Sequence, residues 1–254
     1  MKNLLKQLLK EDFLAILPWL FIPLIGVFAG LSLANVTGFA AFDLISVVCV
    51  TILMAGPLIA LVILVNNDNS RFYGKYAALY DTYPLNSGKI TLARLLNYAI
   101  LGIFTAFTFL LNMSLVLPSG FDIVDFFREL SRLLGELSPE QYLEIFKILL
   151  TLIGLGLMLA LTFMAANSIG NSYYFKKLGK LGPVFIGVIL FVIENYIQIK
   201  MIANYSADKI IVDNSNIRLT FFETNYLFVA IFILELVVLY LATNYFHKKA
   251  LSVA

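Results

Sequence analysis

Charge is scarce in this sequence: only 13% of its 254 residues are Asp, Glu, Lys or Arg, about half the fraction found in an ordinary soluble domain. Water is therefore not the solvent of most of the chain. Histidine and cysteine are scarcer still, with one of each, His247 and Cys49. A single cysteine excludes an intrachain disulfide framework and a cysteine zinc site. A single histidine excludes a histidine-rich metal site, so no resident metal is expected. The same scarcity removes most hydrolytic chemistry: no mid-span histidine can serve as base for a serine or cysteine nucleophile, and neither HExxH nor the phosphate-binding GxxxxGK[ST] occurs. Neither catalysis nor ATP hydrolysis is expected of this chain by itself. A net charge of +2 gives no footprint for nucleic acid.

Apolar residues, by contrast, make up 61% of the chain, and they come in runs. A bilayer needs roughly 20 consecutive, mostly apolar residues per helical span. Six runs qualify, at about 13–36, 41–65, 91–117, 144–169, 183–205 and 225–246. They predict an all-α polytopic membrane protein with one transmembrane domain over 1–254. The run from Phe13 to Leu33 is too long for a signal-peptide core, so the N-terminal segment is expected to be retained. Ahead of it, residues 1–12 place Leu4, Leu5, Leu8 and Leu9 on one helical face and Lys2, Lys6 and Lys10 on the other. That pattern predicts a separate interfacial helix on an anionic leaflet.

An even number of spans puts both termini on one side. That side carries Lys2, Lys6, Lys10, Arg71, Lys75, Lys89, Arg94, Lys176, Lys177, Lys180, Lys248 and Lys249, twelve basic residues against six on the other. The positive-inside rule makes it cytoplasmic in a cell membrane. The opposite side holds an acidic segment in which Ile123, Phe126, Phe127, Leu130, Leu133 and Leu134 recur at helical spacing, which predicts an outer amphipathic helix. Ser138, Pro139 and Gln141 then read as N-cap, first-turn proline and capping-box partner, so a new helix should begin there.

Two acids interrupt otherwise apolar spans. Glu194 and Glu235 lie near mid-span, where a charge costs roughly 2.5–3.5 kcal/mol. Such groups face the bundle or a wet cavity. Spacing places Glu194, Asn195 and Gln198 on one side of the fifth span, with Lys200 snorkelling elsewhere. Two readings stay open, protonated or bonded structural glue and a translocation path for a cationic or amphipathic substrate. Gly26 and Gly30 form a GxxxG on the first span, which serves close packing within the subunit or between subunits. Asn167, Ser168, Gly170 and Asn171 read as the end of the fourth span, with a gate as the lesser alternative.

The most polar stretch of the first half is "SRFYGKYAALYDTYPLNSGKI", Ser70 to Ile90, which topology makes cytoplasmic. Tyr73, Tyr76 and Tyr80 recur at spacings of three and four, which predicts one aromatic stripe on a short helix, capped by Asn69 or Ser70 and stopped by Pro84. Arg71 and Lys75 fall on a neighbouring face. The stripe suits an interfacial tyrosine belt or a helix presented to a groove on a partner.

The order "RFYGKYAALYDTYPLNSGKITLARLL" resembles the loop of ABC-2 type transporter permeases, especially small six-span subunits of Gram-positive bacteria. The resemblance rests on Phe72 and Tyr73, Tyr83 and Pro84, Ser87, Ile90, Ala93 and Arg94, with Tyr83 standing where leucine is commoner. A second segment, "FMAANSIGNSYYFKKLGKLGPVF", resembles the family's small-residue helix end and basic turn. As topology the resemblance covers most of the chain; as motif it covers these two segments. It implies a permease of type V exporter-like architecture that pairs with a separate ATP-binding subunit, two of each forming an exporter of amphipathic peptides, lipids or drugs. ATP and Mg would then belong to the partner, and this chain would carry no cofactor. Residues 1–12 would be the elbow helix. Arg71, Phe72, Tyr73, Lys75, Tyr76, Tyr80, Asp81, Tyr83 and Pro84 would form the ATPase-coupling helix. An ion-coupled carrier using Glu194 and Glu235, and a non-transporting sensor or immunity protein, are the other classes the residues allow.

Overall fold

The computed structural model of the protein describes residues 1–116, 139–179, 181–206 and 226–251, with Arg128, Ser131, Arg132 and Gly135 as isolated helical positions. The described residues are helical, with no strand among them. The long elements are α1 (Lys2–Thr37), α2 (Ala41–Phe72), α4 (Ser87–Val116), α5 (Pro139–Gly170), α6 (Leu181–Ser206) and α7 (Tyr226–Leu251). Between them lie the single turn α3 (Ala77–Asp81) and a 3-10 helix, Tyr173–Leu178. Six of these helices carry segments long and apolar enough to cross a membrane. The protein is a multi-pass membrane protein. Large apolar side chains such as Ile22, Leu58, Val62, Ile103, Leu110 and Val188 are exposed along the helices, and a bundle whose outside is this apolar is solvated by lipid.

Three helices, α1, α2 and α4, pack together on one side. On the other, α5 packs against α6 and α7, and α4 contacts α5 and α7 across the middle. The shared core is Ile16 and Leu20 from α1, Ala60 and Leu64 from α2, Tyr98 and Leu101 from α4, and Ala160 and Met164 from α5. Small residues set the closest approaches. Gly26 and Gly30 face α2 of the same chain, where an added Cβ would run into Cys49 Sγ and into Ser46 Oγ and the Phe42 carbonyl. Their packing is within the chain. Gly170 and Gly182 bring the end of α5 and the start of α6 into backbone contact in the same way.

Two expectations are corrected here. Residues 2–12 are not a separate interfacial helix; they are the first three turns of α1, a continuous helix of 36 residues and thus about 54 Å long. Leu4 and Leu8 are buried, and they bury against Phe72, Tyr80, Ile90 and Ala93 of this chain. The α2–α4 connection supplies the apolar partner that lipid was expected to supply. Asn195 also leaves its assigned face: it is exposed and donates to the Phe191 carbonyl of its own helix, at 2.7 Å. The start of α5 at Pro139 agrees with the helix-start signal. Ser138 and the apolar positions Ile123, Phe126, Phe127, Leu130, Leu133 and Leu134 of the outer amphipathic segment lie outside the described residues.

Candidate functional site

At the end of the bundle that carries both helix termini of the chain, five long helices converge on buried charge. It begins with α1, which brings Asp12 inward at 1% exposure. Asp12 accepts four hydrogen bonds, from Arg71 Nη1 at 2.8 Å, Arg71 Nη2 at 2.6 Å, Asn67 Nδ2 at 2.8 Å and Asn97 Nδ2 at 2.7 Å. Arg71 Nε also donates to Glu11 Oε2 at 2.9 Å. This bidentate geometry is the strongest form of the Arg–carboxylate contact. It fastens α1 to α2 and α4 at one level.

A second pair lies beside it. Arg94 of α4 is 1% exposed and donates to Asp68 of α2 through Nε at 2.7 Å and Nη2 at 2.5 Å. Asn167 of α5 donates to Asp68 Oδ2 at 3.1 Å and to the Val65 carbonyl at 3.2 Å. The guanidinium carbon of Arg94 sits 4.7 Å from the Phe72 ring centroid and 5.4 Å from that of Tyr73, so the charge is held between two π-faces as well as by its carboxylate. Arg94 Nη1 donates to the Tyr73 hydroxyl at 3.0 Å. That hydroxyl also lies 2.5 Å from Ser168 Oγ and 3.0 Å from His247 Nδ1 of α7. Ser168 donates to the Met164 carbonyl at 2.8 Å. All of these contacts are satisfied together when Tyr73 donates to Ser168 and accepts from Arg94 and from a protonated His247 Nδ1. Burial pushes the Tyr73 phenol up from its ordinary pKa, against the pull of Arg94.

The tyrosines of the α2–α4 connection do not form one stripe. α2 ends at Phe72, the chain turns through Tyr73 to Tyr76, and α3 restarts at Ala77, so the helical phase is reset between Tyr73 and Tyr80. Gly74 permits the turn, since a Cβ there would sit 3.0 Å from Ser70 backbone atoms. Tyr80 then faces inward at 3% exposure, stacks 5.3 Å from Phe72 and donates to Glu11 Oε2 at 2.6 Å. Its burial, and then this bond, raise its pKa well above the ordinary phenol value. Tyr83 donates to Gln7 Oε1. Of the expected coupling residues, Arg71, Phe72, Tyr73, Tyr80 and Tyr83 therefore hold the connection against α1, α4, α5 and α7. Lys75, Tyr76 and Pro84 face out, together with Leu79, and Lys75 Nζ lies 4.7 Å over the Tyr76 ring. The side chain of Asp81 lies outside the described residues. At the same end of the bundle the 3-10 helix exposes Tyr173, Tyr174 and Leu178.

The mid-span acids are elsewhere. Thr162 of α5 donates to Glu194 Oε1 at 2.7 Å, and Gln198 Nε2 lies 3.3 Å from Met158 Sδ. Glu235 of α7 is within electrostatic reach of Glu194, and its Oε1 is buried without a hydrogen-bond partner among the described residues. The structure thus draws Glu194 and Gln198 toward α5, sets Glu235 within electrostatic reach of Glu194, and leaves Asn195 outside.

Asp12, Asp68, Arg94, Asn167, Ser168 and His247 form the centre of the site; the sequence singles out Arg94 in a motif and Asn167 and Ser168 at a span end, but Asp12 and Asp68 carry no expected role. Their signal was present: each carboxylate and guanidinium lies within a few residues of a span end, where an ionisable group on the bundle side calls for an opposite charge. Ser168 and His247 of this cluster are fully buried. Among the described residues no group of three His, Cys, Asp or Glu is placed to hold a metal ion. Comparison of the chain with protein-family models, with curated proteins and with solved structures gives no match in any of the three.

Proposed function

We propose that this chain is the permease subunit of an ABC-2 type exporter in a cell membrane, with both termini cytoplasmic. It works with a separate ATP-hydrolysing subunit and a second permease copy, and moves an amphipathic substrate out of the cell. The observation that carries this reading is the two-sided α2–α4 connection. Its outer face offers Lys75, Tyr76 and Leu79, while its inner face is bound by Arg71, Phe72, Tyr73 and Tyr80 to α1, α4, α5 and α7. A push on the outer face therefore reaches several spans at once through side chains with fixed geometry. That is what a transmembrane subunit needs if a partner's nucleotide cycle is to move it. Nucleotide and Mg belong to the partner.

The test is purification of the full-length chain from its own cells in mild detergent, followed by identification of any ATP-binding-cassette subunit retained and measurement of ATP hydrolysis. Tyr76→Ala with Leu79→Ala is expected to leave the fold intact, because both are exposed, and to lower partner retention and substrate-stimulated hydrolysis together, about tenfold for truncation of two interface residues of this type. Undiminished retention and coupling in that variant, or absence of such a subunit, would sink the reading.

One observation favours a second reading, an ion-coupled carrier: the approach of Glu194 and Glu235 within the bundle, with Glu235 Oε1 unpartnered among the described residues. If it is right, Glu194→Gln with Glu235→Gln abolishes proton-dependent flux measured in vesicles without ATP. Wild-type flux that needs ATP and ignores the proton gradient excludes it.

A further inference from the structure

Between α1 and α4, on the lipid-facing side of the bundle, lies an apolar groove of about 460 Å³. Phe13 and Phe104, whose ring centroids are 5.0 Å apart, form its floor together with Leu101. Leu14 and Ile100 form its walls, and Lys10 stands at one end. The volume falls within the range of roughly 300–1,000 Å³ usual for small-molecule sites. The polar end of the groove does not stop at one residue. Lys2, Lys6 and Lys10 are all exposed and spaced four apart, so they run as one stripe along α1 from the groove toward the helix terminus. Glu11, the nearest acid in sequence, is turned away and bound by Arg71 and Tyr80. Among the described residues no carboxylate pairs with the three lysines. The arrangement is an apolar slot capped by uncompensated positive charge, at the level where the apolar run of α1 begins.

We propose that this groove binds an anionic phospholipid of the bilayer, with one acyl chain along Leu14, Phe13 and Phe104 and the phosphate on Lys10 and Lys6. The lysine stems extend the apolar wall while their ammonium groups reach the headgroup. A second copy of the same helix face would bring its own Lys2, Lys6 and Lys10 against the stripe and supply no counter-charge. An anionic lipid satisfies both ends of the site. The inference goes beyond the exporter reading and does not depend on it.

The experiment is native mass spectrometry of the full-length chain in neutral detergent, titrated with phosphatidylglycerol or phosphatidylcholine. The wild type is expected to retain one phosphatidylglycerol in preference to phosphatidylcholine. Lys10→Gln is expected to weaken phosphatidylglycerol retention roughly fivefold, the effect of one lysine near an anionic surface, and to leave phosphatidylcholine unchanged. Leu14→Trp, at a position that is already exposed, fills the slot and is expected to abolish retention of both. Equal retention of the two lipids by the wild type overturns the proposal. So does unchanged retention in either variant, or a dimer that excludes the lipid.

Discussion

Replacing Arg94 by Met is expected to cost the fold about 3–5 kcal/mol, the usual penalty for removing one member of a buried ion pair. The reason is what it strands. Asp68 is buried and would keep only Asn167 of its described donors, while Tyr73 would lose the donation from Nη1. Asp68→Leu is expected to be as damaging, because it leaves the guanidinium between Phe72 and Tyr73 with no carboxylate. Combining the two changes removes both charges together, and the double variant should be less unstable than the sum of the singles by about 1–3 kcal/mol, the coupling typical of residues in direct contact. Titration of the detergent-solubilised chain with a denaturing surfactant measures all four corners of the cycle. Strictly additive losses would mean that the pair is not the unit of stability described here.

The second large effect is expected at Asp12. Its carboxylate receives donors from Arg71, Asn67 and Asn97, so one side chain of α1 joins both α2 and α4. Asp12→Ala should destabilise the bundle by about 3–5 kcal/mol, since Arg71 would remain buried with only Glu11, whose side chain is 40% exposed. Asp12→Asn is the more telling change. It preserves shape and volume, but its amide carries one acceptor and two donors where four donors converge. It is therefore expected to be nearly as damaging as alanine. If asparagine is tolerated, Asp12 acts through packing and not through charge. The same thermal or surfactant unfolding measurement decides, with wild type and Glu11→Gln, a half-exposed position, as references.

These residues also change how the basic residues at this end are weighed. Arg71 and Arg94 belong to the excess that suggested a cytoplasmic face, yet both are consumed in buried pairs. The lysines alone still give that end its exposed positive charge. The orientation proposed above rests on them.

What was legible in the sequence follows from one-dimensional physics. Run length revealed six spans, because a bilayer imposes a minimum number of apolar residues per crossing. Pro139 marked the start of α5, because a proline is tolerated in the first turn of a helix and not in its interior. Parity placed both termini at one end. The polar stretch from Ser70 to Ile90 was also visible as the place where the chain turns.

The rest required neighbours. Periodicity groups residues on a face, but nothing in it says what meets that face. Leu4 and Leu8 could bury in lipid or against Phe72 and Tyr80 with equal hydrophobic gain, and only the fold of the α2–α4 connection decided for protein. The tyrosine spacing assumed one uninterrupted helix; a break after Phe72 and a restart at Ala77 turned Tyr73 and Tyr80 inward and left Tyr76 outside. Asp12, Asp68, Arg71 and Arg94 come from three helices, with 26 residues separating Asp68 from Arg94 and 59 separating Asp12 from Arg71. Each charge is unfavourable alone at a span end and stable once paired. The sequence alone determined the solvent of this protein and the six segments long and apolar enough to cross it, since those depend on composition along the chain. Which charges neutralise each other, and which face of the connection is left exposed, depend on contacts between distant segments, and only the tertiary structure decided them.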